Sequence, residues 1–207
     1  MNRITISKID IESAFSDFVE GTHYEENENL LKNIIKDKAF MYNTDYRVVA
    51  LKLGLIDTLY STNLNKDMAT TSVTTIAKII SDPVLDFDNR IQTGDVFLVQ
   101  DIITNKHFER NNFSLISKYC KIHEYFLSES DNFVIYDRVV ATNLYHYLPY
   151  CNGKKIVKTN PNRYCFEPRN YILWCDYITQ IIADNNLQDI PKVRRKIDWY
   201  IWGAHKT

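Results

Sequence analysis

Apolar residues recur at three- and four-residue spacing along most of this chain, and that period constrains the fold before anything else does. The clearest stripe is Leu115, Tyr119, Ile122 and Phe126, within a helix predicted over residues 114–126. Residues 8–20 repeat the pattern with Ile9, Ile11, Phe15, Phe18 and Val19. Residues 25–38 start acidic and end basic, which suits the helix dipole. The most apolar helix is predicted over 44–60, with Asp45 near its start and Gly54 inside it as a sign of close packing. Another covers 68–80, with Val73, Ile76, Ile79 and Ile80 on one face. Residues 95–103 fit a helix or a strand by period; helix is favoured because no partner strands are evident. Helices over 138–148, 168–185 and 191–202 complete the chain, the last with Pro191 in its first turn and Gly203 just past its end. The segment LDFDNRIQTG (85–94) reads as a loop or a short irregular element, and 149–167 as a polar loop.

Composition agrees. Five Gly and five Pro serve 207 residues, too few for an all-β chain that turns every ~8–12 residues. A hydrophobic content of 45% against 25% charged residues supports a buried core. The expected architecture is mostly α, one helical domain over residues 1–207, with two lobes around a cleft left open as an arrangement.

Several classes are excluded. No stretch of ~18 apolar residues offers a membrane span, and the first residues do not read as a signal peptide. Cys120, Cys151, Cys165 and Cys175 form no C-x-x-C pair, so free thiols and a cytoplasmic setting are expected. Cys120 and His123 share a C-x-x-H spacing without a second pair, so no metal site is expected. No nucleotide-binding or hydrolase motif occurs, and no cofactor is expected. Net charge is −1, but it is divided unevenly. Residues 1–109 carry 11 Lys/Arg against 17 Asp/Glu, or −6; residues 110–207 carry 14 against 9, or +5. The second half can therefore present a basic face.

Two residues 19 positions apart stand out, Lys118 and Asp137. At 100° per residue, Lys118 falls roughly 80° from the centre of the apolar stripe, at the border between core and solvent. A lysine there either snorkels or, partly desolvated, becomes a nucleophile. Asp137 follows an extended apolar run and precedes a helix, so it reads as an N-cap. A capping carboxylate is rigid and stays anionic, which suits it to stabilise a developing cation.

The segment SKYCKIH followed by VIYD resembles the helix-hairpin-helix DNA glycosylases of the 8-oxoguanine type. In that family a catalytic lysine opens a helix, and an aspartate caps the next one after a short extended run. Lys118 matches the lysine and Asp137 the aspartate. The run from VVALKLGL to TTIAKII resembles the family's apolar helix, Asn-bearing break and following helix, with Asn63 matching the residue that enters the duplex. RRKIDWYIWG resembles the last helix of glycosylase-like members. The chain departs from the family at the hairpin, where TNKHFERNNF (104–113) replaces a glycine-rich loop.

The resemblance implies a DNA glycosylase with associated lyase activity in base-excision repair, acting on duplex DNA with a damaged base. The nucleotide is flipped into a pocket. Lys118 attacks C1′ and forms a Schiff base, while Asp137 stabilises the charge on the sugar. Lys121, Arg138, Lys154 and Lys155 are the expected phosphate contacts. Trp199 and Trp202 are the candidates for stacking on the base, with core packing as their ordinary role. The cluster Lys192, Arg194, Arg195, Lys196 reads as a solvated face or a nucleic-acid contact. The alternatives are a non-catalytic module of the same type, binding nucleic acid or a protein partner, and a helical enzyme acting on something other than DNA.

Overall fold

The computed structural model describes residues 3–60, 62, 72–104, 112–151, 154–155 and 170–206. Local sequence signals account for most helix starts. Ser7 and Asp10 form a capping box that opens α1 (Lys8–Phe18). Thr22 caps α2 (His23–Lys36), which carries Glu25 and Glu26 in its first turn and Lys36 in its last. Asp45 accepts the Arg47 N–H at the start of α3 (Tyr46–Tyr60). Ser72 caps α4 (Val73–Ile80).

The segment 85–94, expected as a loop or a short irregular element, contains a regular helix. A 3-10 turn at Pro83–Leu85 leads through Asp86, in the left-handed region at φ 51°, into α5 (Phe87–Thr93). Gly94, at φ 70°, ends α5, and a Cβ there would lie 2.0 Å from the Asn132 side chain. Then come α6 (Phe97–Ile103), α7 (Phe113–Leu127), α8 (Arg138–Tyr147), α9 (Tyr171–Asp184) and α10 (Val193–His205). Within 95–103, residues 97–103 are helical, the type favoured. A two-residue antiparallel pair, β1 (Tyr150–Cys151) with β2 (Lys154–Lys155), is the strand content among the described residues. The protein is mostly α.

Helix α7 organises the rest. It packs against α2, α3, α5 and α6, while α1 and α8 pack on α10, α3 on α4, and α6 on α9. One main hydrophobic cluster joins residues from α1 through α10, including Ile11, Leu53, Ile76, Leu98, Ile122, Leu144, Ile178 and Ile197. A small satellite forms around Ala14, Val19 and Trp199. Every residue from Leu115 to Glu124 is buried, so α7 is enclosed on all sides instead of amphipathic. Lys118, expected at a border, is inside.

Two glycines differ from expectation. Gly203 lies within α10, where a Cβ would lie 2.2 Å from the Phe18 ring; it permits α1 to approach. A Cβ on Gly54 would meet nothing within 4 Å, so it marks no close packing. Pro191 precedes α10 instead of lying in its first turn.

Candidate active site

An extended run, residues 131–137, lies beside α7 with no paired strand among the described residues, and side chains satisfy several of its backbone groups. The buried Glu124 carboxylate accepts the N–H groups of Asn132 and Phe133 and the Ser130 hydroxyl. The Tyr171 hydroxyl accepts from Val134 N–H at 2.7 Å and donates to Val134 C=O at 2.8 Å. Trp174 Nε1 donates to Ile135 C=O, and Tyr136 N–H donates to Ser117 Oγ at 2.9 Å. The Tyr136 ring stacks on Phe113, centroids 4.3 Å apart. Helices α7 and α9 thereby fix the run, and with it the residue at its end.

That residue is Asp137. Its Oδ1 accepts from Val139 N–H at 2.7 Å, capping α8 as expected. Its Oδ2 accepts from Lys118 Nζ at 2.8 Å. Lys118 also donates to Ser114 Oγ, one turn back on α7, at 3.0 Å. The Lys118 side chain is 5% exposed and that of Asp137 17%. Ser117 holding Tyr136 and Lys118 holding Asp137 are adjacent on both segments, which explains the register.

A second set of buried charges adjoins this pair. Arg195 on α10 donates to Asp198 Oδ2 at 2.8 Å and to Glu28 of α2, which also receives the Tyr60 hydroxyl. Asp198 is 9% exposed, and its Oδ1 has no hydrogen-bond partner among the described residues. Burial raises its carboxyl to about 6; Arg195 opposes that shift, the Asp137 carboxylate adds to it, and Lys118 opposes it. Asp198 therefore senses the charges of both Lys118 and Asp137.

The expected phosphate contacts fall out differently. Lys121 is 1% exposed, held by Glu124 at 2.7 Å and Asp131 at 2.5 Å, so it is a structural cation withdrawn from any surface. Arg138 is exposed beside Asp137. Lys154 and Lys155 form β2 through their backbones. Their side chains, and Asn63, lie outside the described residues. Trp199 is 6% exposed, between Phe15 at 4.9 Å and the Arg195 guanidinium at 4.9 Å, so its faces are used in packing instead of stacking. Trp202 is partly buried, with Tyr24 edge-on at 4.8 Å and Lys206 over its ring at 4.0 Å.

Three members of the basic cluster are structural as well. Lys192 donates to Ser128 and Ser130 carbonyls, Arg194 to the Asp131 carbonyl, and Arg195 is buried.

A network not foreseen from sequence lies under α3 and α7. Lys52, 1% exposed, donates to Asn43 Oδ1 at 2.6 Å and to His123 Nε2 at 3.1 Å. His123 Nδ1 donates to Tyr119 C=O at 2.7 Å, which leaves Nε2 the acceptor of a neutral ring. Burial lowers Lys52 to about 8, partly offset by Asp88. Burial, then the Lys52 charge, holds His123 well below its ordinary value. No group of three metal-ligating side chains occurs among the described residues.

Fold and site together define a mostly helical protein in which a buried lysine is paired with a partly buried aspartate. Residues 10–128, more than half of the chain, match the model of the HI_0787_N family, described as an N-terminal domain, and the protein belongs to that family. The matched segment contains Lys118 and ends before Asp137. No curated protein and no solved structure matches the chain. No helix among the described residues is long and apolar enough to cross a membrane.

Proposed function

We propose that the protein is a DNA glycosylase with associated lyase activity, removing an oxidised base from duplex DNA through a lysine Schiff base. The observation that carries this reading is the 2.8 Å contact between Lys118 and Asp137. An amine and a carboxylate fixed together can divide the chemistry. The Lys118 nitrogen attacks the sugar C1′, and the bond to the base breaks with its electron pair leaving on the base. Asp137, anchored by its cap to α8, stabilises the positive charge on the sugar. Ring opening gives the imine, and loss of the C2′ proton expels the 3′ phosphate. On this reading Arg138, exposed at the start of α8, is a candidate phosphate contact.

A second reading is a non-catalytic module of the same type that binds nucleic acid or a protein partner. Its support is the 5% exposure of the Lys118 side chain, since a nucleophile must reach its substrate. Incubation with duplex DNA carrying an abasic site separates the two. Strand cleavage that is lost in Lys118→Ala supports the lyase; binding without cleavage supports the module.

A further inference from the structure

The end of α7 borders a cleft in which Lys118 and Asp137 take no part. Its volume is about 380 Å³, enough for a small ligand, and neither of those two residues is among the described ones that line it. Phe15 of α1 and Tyr125 and Phe126 of α7 supply its aromatic lining. Trp199 braces these rings, with centroids 4.9 Å from Phe15 and 5.9 Å from Tyr125. Phe126 lies edge-on to Tyr125 at 5.1 Å. The aromatic wall is therefore built before any ligand arrives.

The charged lining is cationic on balance. Lys32 and Lys36 of α2, both exposed, lie one turn apart on the same face. Neither has an ion pair or a hydrogen-bonded side chain among the described residues. Lys192, at the start of α10, gives two N–H groups to the Ser128 and Ser130 carbonyls at 2.7 and 2.8 Å, and a third N–H remains. The acid that lines the cleft, Glu28, is already held by Arg195 and the Tyr60 hydroxyl. Like charges one turn apart disfavour a helix, so an unpaired Lys32–Lys36 couple beside fixed rings is best explained by an anion that joins them.

We propose that this cleft binds a free nucleoside monophosphate, with its base against Tyr125 and Phe126 and its phosphate between Lys32 and Lys36. Ring stacking accepts any base, and several ammonium N–H groups match the several oxygens of a phosphate. The Asn29 amide and the Tyr125 hydroxyl line the same cleft and are free of hydrogen bonds among the described residues, so both can contact the base edge. A volume of about 380 Å³ suits one nucleotide instead of a strand. The site stands apart from the glycosylase reading and needs neither Lys118 nor Asp137. All of its lining residues named above except Lys192 lie within residues 10–128, so it belongs to the N-terminal domain that the family model describes.

The test is calorimetric titration of the full chain with adenosine 5′-monophosphate, adenosine, inorganic phosphate and a short thymidine oligonucleotide. The variants are Lys32→Gln/Lys36→Gln, both at exposed positions, and Tyr125→Leu, each checked for folding by circular dichroism. Wild type should bind the monophosphate more tightly than adenosine or phosphate. The double lysine variant should weaken the monophosphate by about tenfold or more, remove most of its salt dependence and leave adenosine unchanged. Tyr125→Leu should weaken the monophosphate and adenosine by about tenfold and leave phosphate unchanged. Should Tyr125→Leu not fold, Phe126→Leu carries the same test. No binding of the monophosphate at millimolar concentration, or equal binding in wild type and the double lysine variant, overturns the proposal. Phosphate binding as tightly as the monophosphate reduces the cleft to a simple anion site and overturns it too. Tighter binding of the oligonucleotide than of the monophosphate, lost in the same variants, overturns the free ligand in favour of a strand.

Discussion

Lys118 Nζ lies 2.8 Å from Asp137 Oδ2, joining the middle of one helix to the first cap of the next across 19 residues. The contact exists because Ser117 and Tyr136, the preceding neighbours, are themselves bonded. Local backbone satisfaction thus sets the geometry of the charged pair.

The two functions of Asp137 are separable. Asp137→Asn retains a good N-cap, and thermal melts should place it close to wild type, with strand cleavage strongly reduced. Asp137→Ala loses the cap too and should be ~1 kcal/mol less stable than Asp137→Asn. Equal cleavage by wild type and Asp137→Asn would remove the charge-stabilising role.

Glu124 should matter more to stability than to chemistry. It is fully buried, binds Lys121 and holds the extended run by its backbone. Glu124→Ala leaves a buried lysine with only Asp131, and denaturant melts should show a loss of about 3–5 kcal/mol. A loss below ~1 kcal/mol would mean that the run is held mainly by Tyr171 and Trp174.

Stability should fall on acidification through His123. The ring is neutral in the fold and protonates near 6.5 when unfolded, so below that pH the unfolded state binds more protons. Stability is then lost as pH falls, by up to ~1.4 kcal/mol per unit for this one group. Asp198 works oppositely. Its carboxyl, raised to about 6, contributes stability that is present below its ordinary value and lost as pH rises through 6. The difference between wild type and His123→Gln isolates the histidine: melts from pH 7.5 to 5 should show a shallower decline in the variant. Parallel declines would contradict a neutral His123.

Two glycine substitutions should have opposite signs. Gly203→Ala drives a methyl into the Phe18 ring and should cost about 1–3 kcal/mol. Gly54→Ala meets open space inside α3 and should stabilise by roughly 0.5–1 kcal/mol. Thermal melts of the two variants, side by side, check both.

Asp137 was legible in the sequence because an N-cap signal acts locally, and the pairing with Lys118 because the 19-residue spacing resembles the glycosylase arrangement; helix period misplaced Lys118 at a border, and it is inside. What stayed hidden depends on where charge is placed. Lys121 and Arg195 are read from sequence as facing outward, since buried charges are rare without partners. Their partners, Asp131 and Glu28, come from other segments, so the burial could not be seen in one helix. Asp198 offered one cue, its three-residue spacing from Arg195, common on any solvated helix. Helix α5 was masked because Pro83, Asp86 and Gly94 crowd it with signals that ordinarily mark a loop.

Borohydride trapping on abasic duplex DNA, with the modified lysine mapped by mass spectrometry, tests the central claim most directly. The account predicts a covalent adduct on Lys118 that disappears in Lys118→Ala. No adduct from the folded wild-type protein, or an adduct on another lysine such as Lys52, would contradict it.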